Sequence, residues 1–280
     1  MSNLHKRSVF KDGVVEIDLD SWAEFVEFCD HYWSNDFGLY FRGQRDSSWA
    51  LKTTLDRFSD GLDQRCGGTY STLLRSFTKS LRGKSAIAKD LHSNDDEIWA
   101  IGQHNGLPTP LLDWTTASYI ALFFAFEDAT PSSTSKRAIW AVHKYVENEM
   151  ALYNQQKTKE EEFKFIDVIT DHNPRLISQS GVFTKQPLGF EFEKWIRHRW
   201  KGVEDRPAMF KICIPDQERF RILRNLRQMN IHHATIYPDL IGAAKFAKYE
   251  IDLLNEKVRR MDTQSLISHS NYSKPAFTGA

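Results

Sequence analysis

The sequence lacks the long hydrophobic runs and the paired cysteines of membrane and secreted proteins. Its longest apolar segments, such as residues 119–126, have about eight residues, whereas roughly 20 are needed to span a bilayer. No apolar stretch of the kind found in a signal peptide follows the N-terminal residues. Cys29, Cys66 and Cys213 show no C-x-x-C spacing, which is typical of a reducing compartment and excludes a zinc site made of cysteine alone. We therefore expect a soluble, cytoplasmic protein that needs neither a membrane nor a metal.

The chain also lacks a net charge, because 37 Lys and Arg residues balance 37 Asp and Glu residues. This balance holds only for the whole chain. Residues 1–36 hold three basic and eight acidic side chains, whereas residues 194–228 hold ten basic and four acidic ones. Neutrality therefore excludes a uniformly basic nucleic-acid binder and leaves a local phosphate-binding surface open.

The late basic segment suggests such a surface for RNA. Its candidate phosphate contacts are Arg197, Arg199, Arg221, Arg224 and Arg227. The last three are spaced three residues apart and share one face of a predicted helix. The alternative is a solvated helix face opposite the apolar side chains of Ile222, Leu223, Leu226 and Met229.

Apolar and aromatic side chains are abundant: 19 Phe, 9 Tyr and 8 Trp suffice for a large core. Segments with strand spacing alternate with segments of helical spacing, with neither a repeat nor a linker. Strands are predicted at 14–17, 38–43, 137–143, 163–169, 208–214 and 234–237, and helices at 63–82, 94–105, 117–125, 190–201, 216–229 and 238–249. These patterns favour one mixed α+β domain over residues 10–255 and a loose C-terminal tail over residues 256–280.

The first candidate site residue is Arg42, within Phe41-Arg42-Gly43-Gln44 at the end of a predicted strand. An arginine among apolar strand residues is costly unless its guanidinium meets an anion or lines a cleft. The following glycine would let a ligand approach the backbone. The alternative is an arginine paired with a structural carboxylate.

A second polar cluster lies in a predicted loop between two apolar helices, where binding residues commonly gather. It contains Gln103, His104, Asp113, Thr115, Thr116 and Ser118. Helix capping or turn formation explains one or two of these side chains, but it does not explain Gln103 and His104 as well.

Two acids further along the chain are candidates for a site. Glu193 lies near the start of a predicted helix, where an acid is also favoured by the helix dipole. Asp239 lies at a predicted strand-to-helix junction, where it either caps the helix or projects into a cleft.

Several of these motifs, in this order, resemble the FRG domain family of bacteria and phages, which is named after its Phe/Tyr-Arg-Gly motif. The matching segments are Phe41-Arg-Gly-Gln44, Gln103-His-Asn-Gly-Leu-Pro-Thr109, Leu111-Leu-Asp-Trp-Thr115, Ala121-Leu-Phe-Phe-Ala125, Arg175-x-x-x-Gln179-x-Gly-x-Phe183 and Tyr237-Pro-Asp-Leu240 with Gly242. The resemblance spans about residues 38–250. Pro110 departs from the family, which often has arginine before Leu-Leu-Asp-Trp.

The aromatic-Arg-Gly motif is also similar to the beginning of many NAD-dependent ADP-ribosyltransferases. That resemblance implies a central, largely antiparallel split sheet flanked by helices. It implies that Arg42 binds the NAD diphosphate or ribose and that Glu193 or Asp239 stabilises the oxocarbenium-like transition state. The implied set of NAD-binding residues is Arg42, Gly43, Gln44, Gln103, His104, Thr115, Thr116, Ser118 and Gln179.

The resulting hypothesis is an NAD-dependent ADP-ribosyltransferase that acts as a toxin or phage-defence effector on RNA or another macromolecule. An antitoxin or another regulatory protein would be its partner. One alternative is a non-catalytic module that binds a nucleotide or a partner. A second is a metal-dependent nuclease or other hydrolase that uses His104, Asp113 and Asp239.

Overall fold

The computed structural model describes residues 7–34, 38–61, 68–82, 94–167, 177–203 and 205–272, with the backbone alone for residues 257 and 260–272. The strands of these residues are β1 (Ser8–Lys11), β2 (Val14–Asp18), β3 (Leu39–Gln44), β4 (Leu111–Thr115), β5 (Lys136–His143), β6 (Lys164–Ile166), β7 (Gly181–Lys185) and β8 (Met209–Pro215). The helices are α1 (Trp22–Phe28), α2 (Thr54–Ser59), α3 (Thr69–Leu81), α4 (Asp95–His104), α5 (Ser118–Phe126), α6 (Val146–Asn154), α7 (Phe192–Arg199), α8 (Arg219–Gln228), α9 (His233–Ile236) and α10 (Leu240–Tyr272).

The strands form one sheet in the order β1-β2-β8-β5-β3-β4-β7-β6. All neighbouring strands are antiparallel except β2 and β8, which are parallel. This confirms the predicted mixed α+β class with a largely antiparallel sheet flanked by helices. β3 pairs with β5 over its whole length but meets β4 only at Phe41 and Thr115. The sheet is therefore continuous but nearly split between β3 and β4.

Alternating side chains of the central strands enter separate cores on the two faces of the sheet. Phe41 and Ile139 belong to the core under α1, α5 and α8. Tyr40 and Trp140 belong to the opposite core, which also holds the apolar side chains of α7. A third core, which includes Leu111, lies under α2–α4, on the same face as the first but beyond the near-split. Two groups of helices thus share one face of the sheet.

Gly43 allows α5 to lie directly on β3. A Cβ atom at this position would lie 2.0 Å from the carbonyl oxygen of Ala121 and 2.5 Å from the backbone nitrogen of Ala125. Both neighbours are backbone atoms of α5. The glycine of the Arg-Gly motif is thus required by the close contact with a helix, a role that the sequence interpretation did not include.

Some predicted elements are wrong. Residues 234–237 were expected to be a strand but lie mostly in α9, where the Thr235 hydroxyl accepts a hydrogen bond from the His232 backbone at 3.1 Å and stabilises the first turn. The polar loop predicted around residues 103–118 contains the strand β4. α10 continues to Tyr272, so the backbone is helical in part of the segment assigned to the C-terminal tail; whether that tail is loose stays a prediction.

The described residues contain no helix that combines the length and apolar composition needed to cross a membrane. Cys29 and Cys213 are free thiols, and Cys66 lies outside the described residues. Burial raises the pKa of the Cys29 thiol to about 12, so this cysteine is protonated at neutral pH.

Candidate functional site

A cavity of about 450 Å³ lies where β3 and β4 separate. Phe124 from α5 and Tyr237 after α9 line one side, while Thr54 from α2 and Ala100 from α4 line the other. The cavity therefore occupies the space between the two groups of helices, next to the near-split of the sheet. Clefts of this size commonly hold small-molecule ligands.

Arg42 bridges the gap between the two strands. Its Nη1 donates a hydrogen bond to the carbonyl oxygen of Asp113 at 2.7 Å and lies 3.7 Å from Asp113 Oδ2. A ladder continued from the Phe41–Thr115 pair would bring Gly43 opposite Asp113, so the guanidinium replaces a strand partner for this carbonyl group. The arginine therefore has a structural role where the sheet separates.

The same arginine can also bind an anion. Its side chain is 17% exposed, and burial lowers its pKa. Its Nε is buried and has no hydrogen-bond partner. Because Arg42 also lines the cavity, its guanidinium charge can attract a phosphate or carboxylate group that binds there.

Gln103 holds Asp113 from the opposite side. Its Nε2 donates to Asp113 Oδ1 at 2.7 Å, and its Oε1 accepts a hydrogen bond from the Thr109 hydroxyl. His104, at the end of α4, lines the cavity beside it. These contacts fix the polar wall that faces Arg42, as the sequence cluster indicated.

Glu127 is the site residue that the sequence analysis missed. It follows α5 directly, lines the cavity, and has a side chain that is 20% exposed. Tyr237 donates its hydroxyl hydrogen to Glu127 Oε1 at 2.7 Å, and Lys245 Nζ lies 3.8 Å from Oε2. Burial nevertheless raises the pKa of the Glu127 carboxyl group.

The position of Glu127 lowers the stability of the folded protein. A carboxylate at a helix C-terminus opposes the helix dipole, and burying it adds a desolvation penalty. Buried acids with a raised pKa in a cleft are candidates for function. The signal in the sequence was an acid placed directly after the apolar segment Ser118–Phe126.

His233 lies beside this acid without forming an ion pair. Its Nε2 is 3.6 Å from Glu127 Oε2, but burial lowers the pKa of His233 to about 4, helped by the positive charge of Lys245. The imidazole is therefore neutral at neutral pH. Glu127 relies on Tyr237 and Lys245 for its polar contacts.

Two arginines hold the backbone around Glu127. Arg137 is 1% exposed, contacts the Asp216 carboxylate, and donates to the carbonyl oxygens of Ala125, Asp128 and Thr130 at 2.8–3.0 Å. Arg219 donates to the carbonyl oxygens of Phe126 at 2.9 Å and Glu127 at 3.0 Å. Together they bind the Ala125 and Phe126 carbonyl groups, two of those that the end of α5 leaves unpaired.

Six residues of the predicted set line the cavity: Arg42, Gly43, Gln103, His104, Thr115 and Gln179. The other three lie elsewhere. Gln44 is buried, accepts from Trp140 Nε1 at 2.7 Å and lines a neighbouring cavity with Arg42 and Gly43. Thr116 and Ser118 line a separate cavity beside Cys29.

The two predicted catalytic acids lie outside the cavity. Glu193 is on α7, where its Oε1 accepts from Arg197 Nε at 2.9 Å, and α7 packs on the opposite face of the sheet. Asp239 is exposed, and its Oδ1 accepts from the Gly242 backbone nitrogen at 2.8 Å as a cap of α10. Tyr237, from the same motif, is the residue that reaches the cavity. Both acids therefore fail as partners of Arg42.

The predicted RNA surface is divided between opposite faces of the sheet. Arg197 and Arg199 lie on α7, which packs on one face, whereas the later arginines lie on α8, which packs on the other. Carboxylates also pair with most of them: Glu193 with Arg197, Glu149 with Arg199, Glu218 with Arg221 and Glu250 with Arg227. These arginines do not form one free cationic patch, so the alternative of a solvated helix face fits better.

Comparison with known proteins finds a match of part of the chain to one family model. Residues 38–134 match the family model of the FRG domain. This segment contains β3, β4, α5 and Glu127, and so most of the cavity wall. The later signatures lie beyond the matched segment, and Arg175 lies outside the described residues. No curated protein and no solved structure matches the chain.

Proposed function

We propose that the protein is an NAD-dependent ADP-ribosyltransferase whose donor binds in the cavity between β3 and β4. The proposal depends on one observation, the presence of Arg42 and Glu127 on the same cavity. The first is a cation with an unused buried donor, and the second is a buried carboxyl group with a raised pKa. NAD has complementary groups, an anionic diphosphate and a ribose bonded to a cationic leaving group.

Each residue has a distinct task in the proposed complex. Arg42 donates charge-assisted hydrogen bonds to the diphosphate through its guanidinium nitrogens. Glu127 accepts a hydrogen bond from a ribose hydroxyl, with Tyr237 and Lys245 holding the carboxylate in place. Gln103, whose amide is fixed by Asp113, contributes to the polar wall of the cavity.

In the proposed reaction the bond between ribose C1′ and the nicotinamide nitrogen breaks. The bonding electrons leave with nicotinamide, which becomes neutral, and the ribose passes through an oxocarbenium-like state. The negative charge of Glu127 stabilises that positive charge in a partly desolvated cavity. An oxygen or nitrogen of the acceptor then bonds to C1′ and releases its proton to solvent.

Turnover of NAD in the presence of cell extract tests this proposal. The measurements are nicotinamide release and transfer of label from NAD to protein or RNA. Glu127→Gln keeps the size of the side chain and removes its charge, so we expect turnover to fall about 100-fold or more. Glu193→Gln is the matched control, because it removes a carboxylate that lies outside the cavity, and it should leave turnover unchanged.

Two results would contradict the proposal. One is full turnover by Glu127→Gln, and the other is no NAD consumption by the wild-type protein with any extract fraction. NAD binding without consumption would favour the non-catalytic nucleotide-binding module. The acceptor, the role as a toxin or phage-defence effector and the regulatory partner stay predictions.

The hydrolase alternative is less well supported by the geometry. His104 and Asp113 line the cavity, but Asp239 instead caps α10. The part of the chain that the structure describes holds no group of three His, Cys, Asp or Glu side chains arranged to bind a metal ion. The three residues named for a metal-dependent site therefore do not form one donor set.

A further inference from the structure

A second cavity, of about 560 Å³, adjoins the first. Arg42, Gly43, Phe124 and Glu127 line both cavities, so a ligand bound to Arg42 faces either space. Beyond the shared residues, the charged side chains that line the second cavity are three bases and one acid, and one exposed aromatic ring lies among them. The residues concerned are Arg45, Lys52, Arg57, Asp128 and Trp49.

The positive charges of this lining are not equally compensated. Arg45 Nη1 lies 2.8 Å from Asp128 Oδ2, and Lys52 Nζ lies 3.0 Å from Asp60 Oδ2. Arg57 differs, because its Nη1 donates at 2.7 Å to the backbone carbonyl oxygen of Lys52, which carries no net charge. Among the residues that the structure describes, no carboxylate forms an ion pair with this guanidinium, which lines the cavity.

Arg42 and Arg57 repel each other across this space. Burial is the main reason that the pKa of Arg42 is lowered. The Asp113 carboxylate, whose nearest oxygen lies 3.7 Å from Arg42, opposes this effect, and the positive charge of Arg57 lowers the pKa by a smaller amount. An anion between the two guanidinium groups would relieve this repulsion, and guanidinium groups match phosphate oxygens in geometry.

Trp49 offers a surface for a planar group next to these charges. The residue is 45% exposed, which is unusual for a tryptophan. Arg45 Cζ lies 5.0 Å from the ring centroid and covers one face. A tryptophan covered on both faces would not be so exposed, so the other face can stack against a nucleobase.

We propose that the second cavity is a nucleotide subsite, in which a phosphate lies between Arg42 and Arg57 and the base stacks on Trp49. The inference rests on the proposed function in one respect. It assigns this nucleotide to the adenylate half of NAD, whose nicotinamide ribose lies beside Glu127 in the first cavity. The shared residues Arg42 and Glu127 are where the two halves meet.

Calorimetric titration of the full-length protein with AMP tests the subsite without requiring any reaction. We expect AMP to bind, and we expect Arg57→Gln to weaken its binding about tenfold or more, as the loss of a charged hydrogen bond does. Trp49→Leu should weaken it as well through the loss of stacking. Arg57 and Trp49 are exposed, so neither change disturbs the core. Arg221→Gln on α8 is the matched control and should leave AMP affinity unchanged.

The outcomes separate this inference from the proposed function. Absence of AMP binding, or an AMP affinity that both Arg57→Gln and Trp49→Leu leave unchanged, would overturn the subsite. NAD turnover with an unchanged KM in Arg57→Gln would also overturn it, while the transferase proposal would stand. The expected pattern of AMP affinities in a protein that consumes no NAD would support the subsite and contradict the transferase alone.

Discussion

Replacing Gly43 with alanine should destabilise the protein strongly, because β3 and α5 touch through backbone atoms at this position. The new Cβ would lie 2.0 Å from the Ala121 carbonyl oxygen and 2.5 Å from the Ala125 nitrogen, far inside normal contact distances. Rotation of a side chain cannot relieve either contact, so α5 has to move away from β3. Overpacking of a core typically costs about 1–3 kcal/mol, and we expect the free energy of unfolding to fall by about 3 kcal/mol or more.

Urea unfolding followed by circular dichroism measures this change. Gly61→Ala is the control, because its Cβ would meet only the Phe58 carbonyl oxygen, at an ordinary 3.7 Å. That variant should stay within about 1 kcal/mol of the wild type. A Gly43→Ala protein with wild-type stability would refute the reasoning, since α5 could not then lie on β3 as described.

Two further substitutions test the surroundings of Glu127. Because the pKa of the Glu127 carboxyl group is raised in the folded protein, protonation of this group contributes to folding stability. The contribution is complete below the ordinary glutamate pKa and is lost as the pH rises through the raised value. In urea titrations, Glu127→Gln should therefore be more stable than the wild type at about pH 8 and about as stable as the wild type near pH 4. Equal stability of the two proteins at pH 8 would contradict a buried charge at Glu127. Arg137→Leu removes the donor to Asp216 Oδ1 and to three carbonyl groups, so we expect a loss of about 3–5 kcal/mol, against less than about 0.5 kcal/mol for the exposed Arg221→Leu. A stable Arg137→Leu protein would show that these contacts contribute little.

Much of the fold could be predicted from local patterns. Ser21 and Glu24 form a local capping pattern at the start of α1, where the Ser21 hydroxyl accepts a hydrogen bond from the Glu24 backbone nitrogen at 3.3 Å. Alternation and apolar runs likewise located β3, β5 and β8. β4 was not predicted from the sequence, because it is short, contains Asp113 and follows a proline. Its strand character comes from pairing with β7, which is far away in the sequence.

The candidate site was predicted only in part, for a related reason. Arg42 stands out locally, because a charged residue in an apolar strand is unusual. Glu127 does not stand out, because an acid after a helix is an ordinary solvated residue until Tyr237 and Lys245 fold over it. From the sequence alone, Asp239 was compatible with two roles, a helix cap or an acid in a cleft. Only the three-dimensional arrangement distinguishes the two roles.

The two arginines that hold the end of α5 fix the wall of the cavity that carries Glu127. Arg137 and Arg219 tie the backbone around Glu127 to β5 and α8, and Gly43 presses α5 onto β3. The acid is therefore a fixed point, and a ligand has to reach it with the spacing that the protein sets. The facing wall is joined to this one across the near-split by one residue pair and by the contact of Arg42 with Asp113. Ligand selection thus follows from the fixed position of the charge, which sets the distance that a ligand has to match.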